Sequence, residues 1–266
     1  MRLALATLCA LALSPLLSTA AAAQAPPEQP APAKPAPPAW PQVAGTWAQY
    51  LETASITDVP IIGDVMSWTR TWIIWEIEQQ GADLTITETI CHIDIRSESK
   101  RVKTILPRGF IQATSGTLRE CKLSRDADGT VRFTQPRIYA IRGVRLKDAR
   151  REKLPEDDDD KRIIDADHDG HPGLTVQVRG IIDGQLYVVQ RSWSELYGTV
   201  YGTDRIDGRV KWSSEQSVVG ASSVFLSSNP DSRPAPRASR HFFKTRRVKP
   251  GTSCAEVLKQ HKTLFK

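Results

Sequence analysis

Residues that carry chemistry on their own are scarce in this sequence: its 266 residues include 4 cysteines, 5 histidines and 2 methionines. No C-x-x-C pair or Cys/His cluster has zinc-ligand or thioredoxin spacing, which excludes those sites. H-E-x-x-H, G-x-S-x-G and a phosphate-cradling glycine loop are all missing, so the short signatures of zinc peptidases, α/β-hydrolases and P-loop enzymes are missing too. Beyond the N-terminus no apolar run is long enough to cross a bilayer as a helix. Neither sign of charge dominates, because the formal net charge is +6, a modest excess for a chain of this size.

What is present begins with a targeting signal. Arg2 is followed by "LALATLCALALSPLLSTAAAAQ", a positive start, an apolar stretch and small residues ending at Ala21-Ala22-Ala23. This pattern predicts a secretory signal peptide over residues 1–23, cleaved before Gln24. Cys9 leaves with it, and its context lacks the small residue that a lipoprotein signal needs. The expected location is exported: periplasm, cell envelope or secreted. Residues 24–42 are Pro- and Ala-rich and read as an extended polyproline tether. A single domain is expected over 43–266, long enough for a sizeable core.

Cys91, Cys121 and Cys254 then remain, predicting one disulfide and one leftover thiol in an oxidising compartment. Cys254 opens a predicted helix at 253–264, where Ser253 and Glu256 have capping-box spacing. A terminal helix gains most from being stapled, and Cys91 lies in an apolar-rich strand. The expected pair is therefore Cys91 with Cys254, with Cys121 as the alternative partner.

The body reads as strand after strand. Runs such as "MSWTRTWIIWEIE", "DLTITETICHIDI" and "GQLYVVQRSW" are rich in β-branched and aromatic residues and several alternate. Gln80-Gly81, Asp128-Gly129, Asp183-Gly184 and Asp207-Gly208 are expected to be turns between them. About nine strands and one C-terminal helix predict an all-β fold, an antiparallel meander closed into a barrel or strongly curled. The alternative is a two-sheet sandwich. A charged loop is expected over 144–173.

Gly45-Thr46-Trp47, a G-x-W at the start of the first strand, resembles the lipocalins and the wider calycin group of secreted barrels. The resemblance implies that Trp47 closes one end of the barrel beneath a basic residue of the last strand, Arg246 or its neighbour Arg247, with Arg246 taken first. It also implies a pocket for a small apolar ligand or lipid.

The stretch "DADHDGHPGLTV" places Asp165, Asp167 and Asp169 on alternate positions before Gly170. Alternate carboxylates converge on one hard cation while glycine permits the sharp turn, so calcium is the expected ion. His171, at the seventh position, would give its backbone carbonyl. Val176 stands where an EF-hand has its bidentate glutamate, and a strand follows in place of a helix. The stretch therefore more closely resembles the D-x-D-x-D-G loops that precede strands in extracellular β-proteins, such as those of FG-GAP repeats. Glu156 to Asp160, just upstream, are candidates for the missing ligand or else a solvated acidic loop. A structural role is favoured for the ion, because no nucleophile or base stands beside it.

Other constellations are weaker. Ser97-Glu98-Ser99-Lys100 satisfies S-x-x-K but lies in a polar turn without its partner motifs. His92 and Asp94 share a strand face. Arg240, Lys244, Arg246 and Arg247 form a basic segment that would meet an anionic envelope glycan or lipid headgroup, nucleic acid being out of reach of an exported protein. Its alternative role is a soluble sheet edge. Three function classes follow: a calcium-stabilised barrel holding a small apolar ligand or lipid, an envelope interaction module with structural calcium and no internal ligand, and a barrel enzyme of unknown reaction. The sequence names no catalytic residue.

Overall fold

The computed structural model describes residues 38–59, 63–229 and 231–266; the expected signal peptide and the tether up to residue 37 lie outside the described residues. The elements are β1 (Gly45–Val59), β2 (Gly63–Gln80), β3 (Asp83–Ser97), β4 (Val102–Ile105), α1 (Arg108–Ala113), β5 (Thr117–Arg125), β6 (Val131–Arg142), β7 (Leu174–Gly180), β8 (Gly184–Tyr201), β9 (Arg205–Ala221), β10 (Ser232–Pro234), β11 (Phe242–Arg247) and α2 (Cys254–Leu264). They form one antiparallel sheet in the order β4-β7-β8-β6-β5-β3-β2-β1-β11-β9, with β10 paired to β1. Because β8 also pairs with β9, the path from β8 round to β9 closes into a ring of 8 strands. One sheet closes on itself, so the sandwich alternative does not apply.

Alternation decides what faces inward. Trp47 pairs directly with Trp75 across β1 and β2, and both are fully buried. They join Phe133, Phe243, Ile86, Leu123 and Ile206 in a core that fills one end of the ring. The rings of Trp75, Phe133 and Phe243 meet at centroid distances of 5.7 to 6.4 Å, in the tilted and edge-on arrangements that aromatic quadrupoles favour. Two bulges reset the alternation. Trp72 opposes His92 while Ile73 opposes Ile90, leaving Cys91 as the extra residue of β3. On β6 the register jumps between Gln135 and Ile138, at Pro136, which has no N–H for a ladder. After each bulge the side chains that face inward change parity.

The outer face is covered in two places. Helix α2 lays Val257 against Ala48, Trp72 and Ile74 of β1 and β2, and the expected capping box is formed: Ser253 accepts from the Glu256 N–H while the Glu256 carboxylate accepts from the Ser253 N–H. Cys91 and Cys254 form the disulfide, closing a sequence separation of 163 residues, worth about 5 kcal/mol in the chain-entropy model. Cys121 is the free, buried thiol. Elsewhere the 143–173 connection covers β8 and β9 through Val144 and Leu154, which pack on Val189 and Val219.

Several expectations change. Trp40 belongs to the same compact unit as the ring and packs on its core. Pro41 O accepts from Gln79 Nε2 at 3.0 Å, so the body begins before Val43. The turn expected at Asp207-Gly208 lies inside β9; the reversal comes at Gly202. Gly208 is there for space, because a Cβ on it would stand 2.5 Å from Gly198 Cα and 2.7 Å from the Phe243 ring. Strands β5 and β10 and helix α1 were not expected. In β5, "TLRECKLSR", Glu120 and Lys122 face out while Arg119 turns inward with Cys121 and Leu123, and charge on both parities masks the strand signal.

Candidate functional site

The aspartate loop enters β7. Ligand oxygens of Asp165, Asp167 and Asp169 all lie within 4.8 Å of one another, a separation one cation would bridge. Asp165 accepts the N–H groups of Asp169 at 3.2 Å and Gly170 at 3.0 Å. Asp167 Oδ2 accepts from Thr175 N at 2.9 Å, while Asp167 Oδ1 is buried without a partner. An orphaned carboxylate oxygen is costly to bury, and a hard cation between the three groups would satisfy it. Burial, together with the charges of Asp169 and Asp165, pushes the Asp167 carboxyl above its usual range. Gly170 takes the expected positive φ of 86°, and His168 takes 58°, a left-handed conformation that few side chains adopt.

Around the cluster, neighbouring side chains make contacts of their own. The His171 ring stacks on Tyr187 at 4.2 Å, which leaves only its main chain for the loop. Val176 is buried in β7. Among the described residues no member of Glu156 to Asp160 joins the cluster. Glu156 pairs with Lys153 at 2.8 Å and Asp160 with Arg162 at 2.6 Å. The Arg162 guanidinium holds the Asp160 carboxyl down at about 2.

Behind this loop lies the second candidate site. A Cβ on Gly109 of α1 would stand 3.0 Å from Asp167 O, so the helix sits directly against the loop. The next residue, Phe110, is buried and lines a cavity of about 440 Å³ in the half of the ring that the aromatic core leaves unfilled. Ile90, Ile93, Ile138, Leu106 and Trp212 supply its apolar wall, with Thr71, Gln135, Gln190 and Ser192 between them.

Charge within the cavity is confined to Glu88, Arg119 and Arg142 among its lining residues. Arg119 grips Glu88 with two parallel bonds of 2.8 and 2.9 Å, both side chains being almost fully buried. Trp75 Nε1 also donates to Glu88, at 3.4 Å. Arg142 has no such partner. It donates to Ser192 Oγ at 2.9 Å and to Gln190 Oε1 at 3.3 Å, both neutral, and among the described residues no carboxylate forms an ion pair with it. Its side chain keeps some accessible area because it lines the cavity. Protein still surrounds it closely, and burial pushes its guanidinium pKa below the usual value.

The other expected residues are distributed differently. Arg247, not Arg246, lies over the Trp47 ring, at 4.7 Å. Arg247 is the direct cross-strand partner of Trp47 and shares its face, whereas Arg246, one residue earlier, points the other way and pairs with Asp207. Arg247 also donates to the carbonyls of Ala44 and Gln42, tying the entering chain across that end. Lys244 donates to Phe265 O at 2.8 Å, and Arg240 stands 6.0 Å over Trp68. The basic segment is thus divided between opposite faces and internal partners. His92 stacks on Trp72 at 5.7 Å on the outer face and Asp94 pairs with Arg96 at 2.8 Å, so the two make no joint site. Ser97 accepts from the Ser99 N–H in a turn.

Comparison of the chain with protein families, with curated proteins and with solved structures finds no match. Sequence reasoning missed Glu88, Arg119 and Arg142. The alternation in "TLRECKLSR" held a signal for Arg119, which shares parity with Cys121 and Leu123.

Proposed function

We propose that this protein is an exported carrier that holds a small, largely apolar ligand inside its strand ring, with calcium at Asp165, Asp167 and Asp169 supporting the wall of the site. The observation that supports this reading most is the cavity of about 440 Å³, within the roughly 300–1,000 Å³ of small-molecule sites, where apolar groups give most of the exposed lining and threonine, glutamine and serine side chains are interleaved with them in similar number. The Trp47 and Arg247 closure of the opposite end agrees with the layout that the lipocalin resemblance implies. The ion's part is structural: it would cancel repulsion among three carboxylates and hold the backbone of Asp167 against Gly109, and so seat Phe110 in the cavity wall. Export follows from the N-terminal segment.

Native mass spectrometry of the processed protein, purified without chelator, tests both parts. The expected spectrum carries a calcium adduct together with an organic mass, and Ala140→Trp, which fills the cavity, removes the organic mass and leaves the calcium. Calcium without any organic mass, in the native protein and after incubation with a lipid extract, would defeat the carrier reading in favour of an interaction module.

A further inference from the structure

Arg142 is a cation in the cavity wall that forms no ion pair among the described residues; Glu88 is near enough to attract it but is already paired with Arg119. Arg119 and Glu88 neutralise each other, so the charged residues lining the cavity carry one net positive charge, located at Arg142. Burying an ion without a partner is among the least favourable arrangements in a folded chain, and such charges are found paired or bound to a ligand. The Arg142 side chain is held in place by Ser192 Oγ and Gln190 Oε1. Ser214, the direct cross-strand partner of Ser192, adds a buried hydroxyl oxygen with no hydrogen-bond partner. Arg142, Ser192 and Gln190 line a chamber to which Ile90, Ile93, Ile138, Leu106 and Phe110 contribute an apolar wall, with Ser214 buried behind Ser192.

Resting on the carrier reading, we propose that the ligand is an anionic amphiphile whose oxyanion, a carboxylate in the simplest case, pairs with Arg142 while its hydrocarbon body lies along the isoleucine wall. A planar guanidinium fork matches a carboxylate with two parallel hydrogen bonds. Burial lowers the guanidinium pKa, yet arginine stays protonated at neutral pH, so the charge is available to the ligand. Ser192, which lines the cavity beside Arg142, is positioned to bond the second oxygen or to hold a bridging water.

The test is titration calorimetry of the delipidated, calcium-loaded protein with laurate and with dodecanol, which share a tail and differ in the head. The expected result is laurate binding tighter by about tenfold to a hundredfold, the range of charge-assisted hydrogen bonds. Arg142→Gln should bring laurate down to the affinity of dodecanol and leave dodecanol unchanged, with Arg142→Lys between them. Equal affinity for the two in the native protein would overturn the head-group assignment and leave the carrier standing. Binding of neither would overturn both. If Arg142→Gln fails to fold, the comparison in the native protein still decides.

Discussion

The two ends of the strand ring are built on opposite principles. At one end Trp47, Trp75, Phe133 and Phe243 fill the interior so completely that Gly198 and Gly208 must give up their side chains to admit a phenyl ring. At the other end the same strands turn threonine, glutamine and serine inward around open space. A protein interior is ordinarily close-packed, and a void forfeits dispersion contacts on its lining. The hollow end is therefore a cost that the packed end and the disulfide offset. The contrast between the two arginines of the cavity repeats the lesson: Arg119 is matched by Glu88 inside the chain, and Arg142 forms no ion pair among the described residues.

Replacing packed-end residues should have the largest effect. Trp75→Ala should destabilise by about 4 kcal/mol in chemical denaturation, the usual cost of deleting a buried large aromatic, whereas Thr71→Ala, on the same strand but lining the cavity, should cost less than about 1 kcal/mol. Equal losses would break the distinction between the ends. Next comes the ion pair at their border. Glu88→Gln leaves Arg119 buried without its counter-charge and should cost about 3 kcal/mol, most of it recovered in the double variant with Arg119→Met. Arg142→Met should instead raise stability of the ligand-free protein by about 1 kcal/mol, because its charge already lacks a partner. A loss there as large as that of Glu88→Gln would show that Arg142 has an internal counter-ion.

Asp167→Asn sharpens the comparison at the loop behind the hollow end. Without calcium it should raise the melting temperature by a few degrees, corresponding to about 1 kcal/mol of relieved carboxylate repulsion. It should also remove the rise that calcium produces in the native protein. A calcium-dependent rise that survives this change would take the loop out of the site. The smallest effect is chemical. Burial pushes the Cys121 thiol up to about 12, so alkylation at about pH 8 should be negligible in the folded protein and rapid in denaturant, because the thiolate is the nucleophile. Fast alkylation of the native chain would mean that the packed end opens.

Much of the fold was legible because its determinants are local. The long β-branched and aromatic runs became β2, β3 and β8. The glycine turns at Gly81 and Gly129 reverse the chain with positive φ, and Ser253 with Glu256 caps α2 as spaced. Asp165, Asp167 and Asp169 converge because alternate positions in a tight loop leave them little choice. The cavity was not legible, and β6 shows why. Strict alternation from Phe133 and Gln135 places Ile141 inside and Arg142 outside. The bulge at Pro136 adds one residue and exchanges them. The same parity argument separates Arg247 from Arg246 over Trp47.

By itself, then, the sequence determined the long strands, the turns at Gly81 and Gly129, the capped and stapled terminal helix and the clustered aspartates, all of which follow from interactions between residues close in the chain or from side-chain chemistry. Tertiary structure alone decided which side chains became interior, which arginine found a carboxylate and where the ring was left hollow. Those outcomes depend on register between strands up to two hundred residues apart, as with Trp47 opposite Arg247, and a one-residue shift in register reverses every inward-facing choice that follows it.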